Sequence, residues 1–147
     1  MFMRSIQSLC LIQSILMKTD LSNATFIIPI RIESDDRLRN VVTSIAFLVE
    51  NFDTNIIVKE VDKESVFQTE VLPIFEEILE VDLWKNFHHI FERSEEPLFH
   101  RQRVLNEMIA ECDTDIVVNY DCDVILPMKS YELAYNGITE GIYDVVY

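Results

Sequence analysis

Two carboxylates one residue apart, Asp121 and Asp123, flank Cys122 directly after the apolar run Ile116-Val117-Val118-Asn119-Tyr120. Ionised carboxylates at that spacing repel each other. A chain tolerates them at the end of a partly buried strand most readily when a divalent cation bridges them to something else. A nucleotide diphosphate is the ligand such an ion would serve. The same spacing recurs in Asp113-Thr114-Asp115, but there it precedes the apolar run. Ligands of an open α/β sheet sit beyond the carboxyl ends of its strands. Only the later pair falls on that rim, and the earlier one reads as a helix-to-strand turn.

Other charged residues collect where strands should end. Glu33, Asp35 and Asp36 follow the first β-rich run, and Glu60 and Asp62 follow the second. This acidic rim asks for a cation, and Mg²⁺ or Mn²⁺ suits its oxygen ligands better than zinc does. His88 and His89 are adjacent in a candidate strand and point to opposite faces, so with His100 they make no zinc set and are expected to pack or to face solvent. Cys122 points away from the flanking aspartates by the same alternation. Two arginines interrupt the acidic rim, Arg31 after the first strand and Arg101 at the head of the helix before the Asp121 strand. A guanidinium fork matches phosphate or a base edge, and it equally matches a neighbouring carboxylate.

The elements that must position these residues alternate. Short β-rich runs at 25–30, 55–60, 87–91 and 115–120 are separated by helical patterns at 37–50, 71–80 and 99–112, and a further helix at 130–138 precedes a last strand at 143–147. This is the pattern of repeated βαβ units, an α/β fold with a mostly parallel sheet. Leu38, Val41, Val42, Ile45, Leu48 and Val49 mark the buried face of the first helix. The final strand reads Tyr-Asp-Val-Val-Tyr with nothing to cover it, which suggests a truncated domain and an exposed sheet edge open to oligomer formation.

A chain of 147 residues, 49% hydrophobic, has the size and apolar content of one globular domain. We place that domain at residues 25–147, after an N-terminal extension at 1–24. The formal net charge of −14 argues against nonspecific binding to nucleic acid or anionic membrane, which require Lys and Arg. Cys10, Cys112 and Cys122 form no Cys-x-x-Cys pair and leave an odd count, which fits a reduced, cytoplasmic compartment. The apolar stretch at 8–17 is too short, and too interrupted by Gln and Ser, to make a stable membrane span.

Three segments together resemble the GT-A glycosyltransferases. They are Thr25-Phe26-Ile27-Ile28-Pro29-Ile30-Arg31, Phe99-His100-Arg101-Gln102-Arg103-Val104-Leu105-Asn106, and Asp121-Cys122-Asp123-Val124-Ile125-Leu126-Pro127-Met128. They are similar in order and placement to the I-I-P-x-R, F-x-R-x-x-x-L-N and D-x-D-to-proline motifs of the family-two enzymes and of the galactosyltransferase and chondroitin-polymerase type. The resemblance implies a Rossmann-like three-layer α/β/α domain that binds a UDP-sugar through Mn²⁺ or Mg²⁺ and transfers the sugar to a glycan or other acceptor. It gives Arg31, Glu60, Arg101 and Asp121 to the nucleotide side of the donor, and Asp121 with Asp123 to the metal. Asn106 matches the asparagine of the helix beneath the donor site, while Met108 stands where the family usually has glycine. The catalytic base and the third metal ligand have no counterpart before Tyr147, so the expectation is donor binding. The alternatives are a nucleotidyltransferase, which would favour a Gly-rich loop that 31–36 lacks, and a truncated, non-catalytic nucleotide-binding or protein-interaction domain.

Overall fold

The computed structural model describes residues 18–79 and 85–147, so the apolar stretch at 8–17 and the end of the helix expected at 71–80 lie outside the described residues. The elements in chain order are β1 (Thr19–Ile30), α1 (Asp35–Asn51), β2 (Phe52–Asp62), a π-helical turn (Phe67–Val71) running into α2 (Leu72–Ile78), β3 (Phe87–Arg93), α3 (Arg101–Ala110), β4 (Ile116–Asn119) and α4 (Met128–Thr139). The four strands form one sheet in the order β3-β2-β1-β4. Every pairing is parallel: Phe26 lies opposite Ile56 and Val118, and Val58 opposite His89.

β1 sits inside the sheet, and its sequence shows why. Phe26, Ile27, Ile28 and Ile30 are all buried, a continuous apolar run covered on both faces, as parallel strands require. Phe26, Ile28, Ile56 and Val58 face a core closed by α1, α2 and α4, while Ile27, Ile57 and Val61 pack on Val104, Leu105 and Met108 of α3. Helices therefore cover both faces, giving a three-layer α/β/α arrangement. The face under α4 is aromatic: Phe26, Phe52, Phe47, Tyr120 and Tyr131 interlock with ring centroids 5.1–6.4 Å apart. Each such ring contributes ~1.5–3 kcal/mol by leaving water.

Several boundaries move outward from their sequence expectation. α1 begins at Asp35 because the Ser34 hydroxyl accepts from the Arg37 amide, and Asp35 and Asp36 then fill the first turn, where the helix dipole favours anions. The strand expected at 143–147 is absent. Gly141 takes φ 69°, the Ile142 and Tyr143 amides both donate to the Gly137 carbonyl, and the chain folds back over α4. The Tyr143 ring then lies so close to Gly137 that a Cβ there would stand 2.7 Å from its Cδ2. Val145, Val146 and Tyr147 consequently border a groove of about 450 Å³ beside β4, and they do not join the sheet.

Candidate functional site

Pro29 helps explain why the Asp121 loop leaves the sheet where it does. Ile27 is the parallel partner of Asn119, and the Tyr120 amide donates to the Ile27 carbonyl at 3.1 Å. The next rung of the ladder would need an amide hydrogen at residue 29, and proline has none. The chain turns away at this point, with the Val124 amide closing on the Asp121 carbonyl.

Three side chains from the core then fix the turn. Ser44 of α1 donates to the Cys122 carbonyl at 2.5 Å, Tyr120 donates to the Val124 carbonyl at 2.6 Å, and the Tyr131 hydroxyl of α4 accepts from the Leu126 amide at 3.0 Å. Cys122 is buried, while Asp121 and Asp123 are exposed, as alternation predicts. Burial pushes the Cys122 thiol up, opposed by the nearby charge of Arg37, and burial together with Tyr131 pushes the Tyr120 hydroxyl up. Both groups stay neutral at pH 7 and serve as packing and anchor rather than as acids.

The loop occupies a particular place in the topology. β1, β2 and β3 are laid down in one direction across the sheet, and β4 is added on the other side of β1. The strand order therefore reverses between β1 and β4, and a crevice opens at the carboxyl ends of strands flanking such a switch point. Arg101, at the head of α3, reaches this edge. Its Nη2 lies 2.5 Å from Asp121 Oδ1 and 3.2 Å from Asn119 Oδ1. Among the described residues Asp123 has no cationic partner. The structure thus brings together Arg101, Asp121 and Asp123, with Arg37 of α1 close enough to be felt at Cys122. Arg37 and Asn119 were not singled out from sequence, since the only signal for either is the strand order.

The other two expected ligand residues are turned inward. The Arg31 side chain is buried, and it donates to the carbonyls of Val61 (2.9 Å), Pro97 (3.1 Å) and Glu96 (3.2 Å), lies over the Phe99 ring, and stands 4.0 Å from Asp62. It ties the β3–α3 loop to the end of β2. Glu60 is 0% exposed and accepts from Ser65 Oγ and from the Val66 and Phe67 amides. It caps the π-helical turn. Burial raises the Glu60 pKa, but the adjacent His89 ring and the hydrogen bonds from Ser65 and Phe67 outweigh it, and the carboxyl ends below its ordinary range. His89 stacks on Phe67 at 4.2 Å, its Nε2 3.4 Å from Glu60 Oε2 but without hydrogen-bond geometry, and His88 is exposed. In this arrangement Arg31 and Glu60 both make structural bonds, Arg31 to three carbonyls and Glu60 to the start of the π-helical turn.

Sequence reasoning also missed a charged cluster under α3. Lys59 contacts Glu92 at 3.1 Å and Glu107 at 2.5 Å, and Arg103 contacts the same two carboxylates at 2.7 and 2.8 Å. The cluster fastens α3 to β2 and β3. Met108, where the resembling enzymes carry glycine, is fully buried among the residues that pack this helix on the sheet. Asn106 is exposed and accepts from Gln102 at 3.3 Å.

A divalent ion fits Asp121 and Asp123 in part. Two solvent-facing carboxylates offer hard oxygen donors, yet no group of three or more His, Cys, Asp or Glu is assembled among the described residues. Such a pair suits a cation that keeps waters and takes its remaining ligands from phosphate, as Mg²⁺ does. The groove beside β4 reaches Asn119 but is not lined by either aspartate. No protein-family model matches the chain, and no curated protein matches it. No helix among the described residues is long and apolar enough to cross a membrane.

Proposed function

We propose that the chain is the donor-binding part of a metal-dependent glycosyltransferase, holding a UDP-sugar at the β1–β4 switch point. The observation that carries this reading is the placement of Asp121 and Asp123, turned to solvent by a buried Cys122, at the carboxyl end of β4 with Arg101 beside them. Asp123 and Asp121 would hold Mn²⁺ or Mg²⁺, and Arg101 would meet the diphosphate. When bound, the metal neutralises charge that builds on the departing diphosphate. Asp62, partly exposed at the end of β2, is better placed than the fully buried Glu60 to meet the nucleobase.

Titrating UDP into the purified chain by calorimetry, with Mn²⁺ and with chelator, tests the proposal. Binding that needs the metal and disappears in Asp123→Ala is the expected result. A folded protein that takes up no UDP with Mn²⁺ overturns it. The second reading, a protein-interaction domain, draws on β4. Among the described residues this strand pairs with β1 alone, and Val124, Ile125 and Leu126 beyond it are 45, 45 and 48% exposed. Concentration-dependent self-association in sedimentation, without nucleotide binding, would favour it.

A further inference from the structure

The three rim charges are unequally held. Asp121 Oδ1 already faces the Arg101 guanidinium at 2.5 Å, whereas Asp123 has no such partner among the described residues. Arg101 is itself lightly held. Its bonded partners are Asp121 and Asn119, both reached through Nη2, and the side chain is 42% exposed. Arg31, by contrast, is locked by three carbonyls, and Arg103 grips two carboxylates. A guanidinium carries five N–H donors, so Arg101 has donors left to offer an anion without leaving the rim.

We infer that Arg101 is a charge latch on Asp121, coupling the entry of the metal to the entry of the diphosphate; the inference rests on the donor-site reading above. A divalent ion that takes Asp121 Oδ1 must displace the guanidinium that holds that oxygen. Without an anion, the displaced guanidinium is left beside a like charge. A diphosphate gives the guanidinium a second, more highly charged partner with fork-matched oxygens, and releases Asp121 to the metal. Each ligand therefore lowers the cost of the other, and the coupling is reciprocal. Asp123 is the carboxylate open to the ion from the outset, and Asp121 joins once Arg101 turns to the phosphates.

The test compares wild type with Arg101→Gln and Arg101→Lys in three calorimetric titrations: Mn²⁺ alone, UDP with chelator, and UDP at saturating Mn²⁺, corrected for the Mn²⁺–UDP complex in solution. Wild type is expected to show coupling of about tenfold or more, within the range usual for linked sites. In Arg101→Gln, Mn²⁺ alone should bind about threefold tighter, the scale of one exposed ion pair, while coupling falls below about threefold. Arg101→Lys, which keeps the charge, should retain most of the coupling. Unchanged or weaker Mn²⁺ binding in Arg101→Gln with coupling intact overturns the latch and leaves the donor site standing. Failure of wild type to bind UDP with Mn²⁺ overturns the donor-site reading, and the latch with it. Circular dichroism melts matching wild type confirm that the half-exposed substitutions leave the fold intact.

Discussion

The carboxyl rim of the sheet has two halves that look alike in sequence and behave differently in structure. Just past β1 and near the end of β2, Arg31 and Glu60 turn inward, bonding to loop carbonyls and to the start of the π-helical turn. Beyond β4, Asp121 and Asp123 turn outward, and the groups that fix them act on the backbone: Ser44 on the Cys122 carbonyl, Tyr120 on that of Val124, and Tyr131 on the Leu126 amide. A charged residue just past a strand is thus not by itself a ligand residue. What separates the halves is whether the chain leaves the side chain or the main chain to make the structural bonds. Where the side chain makes them, removal should cost stability; where the main chain does, removal should cost only binding.

The largest effect belongs to Glu60. Glu60→Ala strips the acceptor from a hydroxyl and two amides in a fully buried site, and should lower stability by about 2–4 kcal/mol in chemical denaturation. Its carboxyl titrates below the ordinary range when folded, so its contribution is complete above the unfolded value of about 4.3 and is lost as pH falls through the lower native value. Melts of wild type and Glu60→Gln should therefore differ most near neutrality and converge as the pH drops below about 4. Arg31→Met comes next, at about 1–3 kcal/mol, because three carbonyls lose their donor. Hydrogen exchange should quicken selectively in the β3–α3 loop at residues 94–100. If either variant instead keeps its stability and loses nucleotide binding, the two halves are not distinct and both belong to the site.

How much of this division was legible beforehand depends on the range of the signal. The α/β class, the parallel sheet and the outward aspartates around Cys122 follow from periods of two and 3.6 residues, which act over neighbours. The inward turn of Glu60 does not, because it caps a helix that begins seven residues later at Phe67, beyond any local capping pattern. That same remote cap explains why the helix expected from residue 71 begins earlier, as a π-helical turn. Arg31 is equally opaque, since its acceptors lie 30 to 66 positions away. The strand expected at 143–147 failed for the opposite reason. Its residues have strand propensity, but Gly141 and the packing of Tyr143 on Gly137 are local, and they turn the chain before any edge can be paired. The role of Pro29 was visible as a residue and invisible as a mechanism, because a missing amide matters only once its neighbour strand is known.

Ser44 sharpens the comparison from the outward half. Ser44→Ala removes one buried hydrogen bond to the Cys122 carbonyl and should cost about 1 kcal/mol. It should also raise amide exchange across residues 121–126 while leaving 94–100 unchanged. A loss spread evenly over both loops would mean that Ser44 supports the core in general rather than this turn.

The smallest effect on the fold is expected at Asp123, and it discriminates most. Asp123→Ala should leave stability within about 0.5 kcal/mol of wild type, since the side chain is exposed and unpaired among the described residues. In a chain of net charge −14 the change, if any, should be a gain, because one repelling charge is removed. A carboxylate held outward by a loop that the core fixes at three points is free to serve the proposed donor site. If Asp123→Ala unfolds at lower denaturant by more than that margin, the side chain has a structural partner, the outward half resembles the inward one, and the case for a metal site there falls.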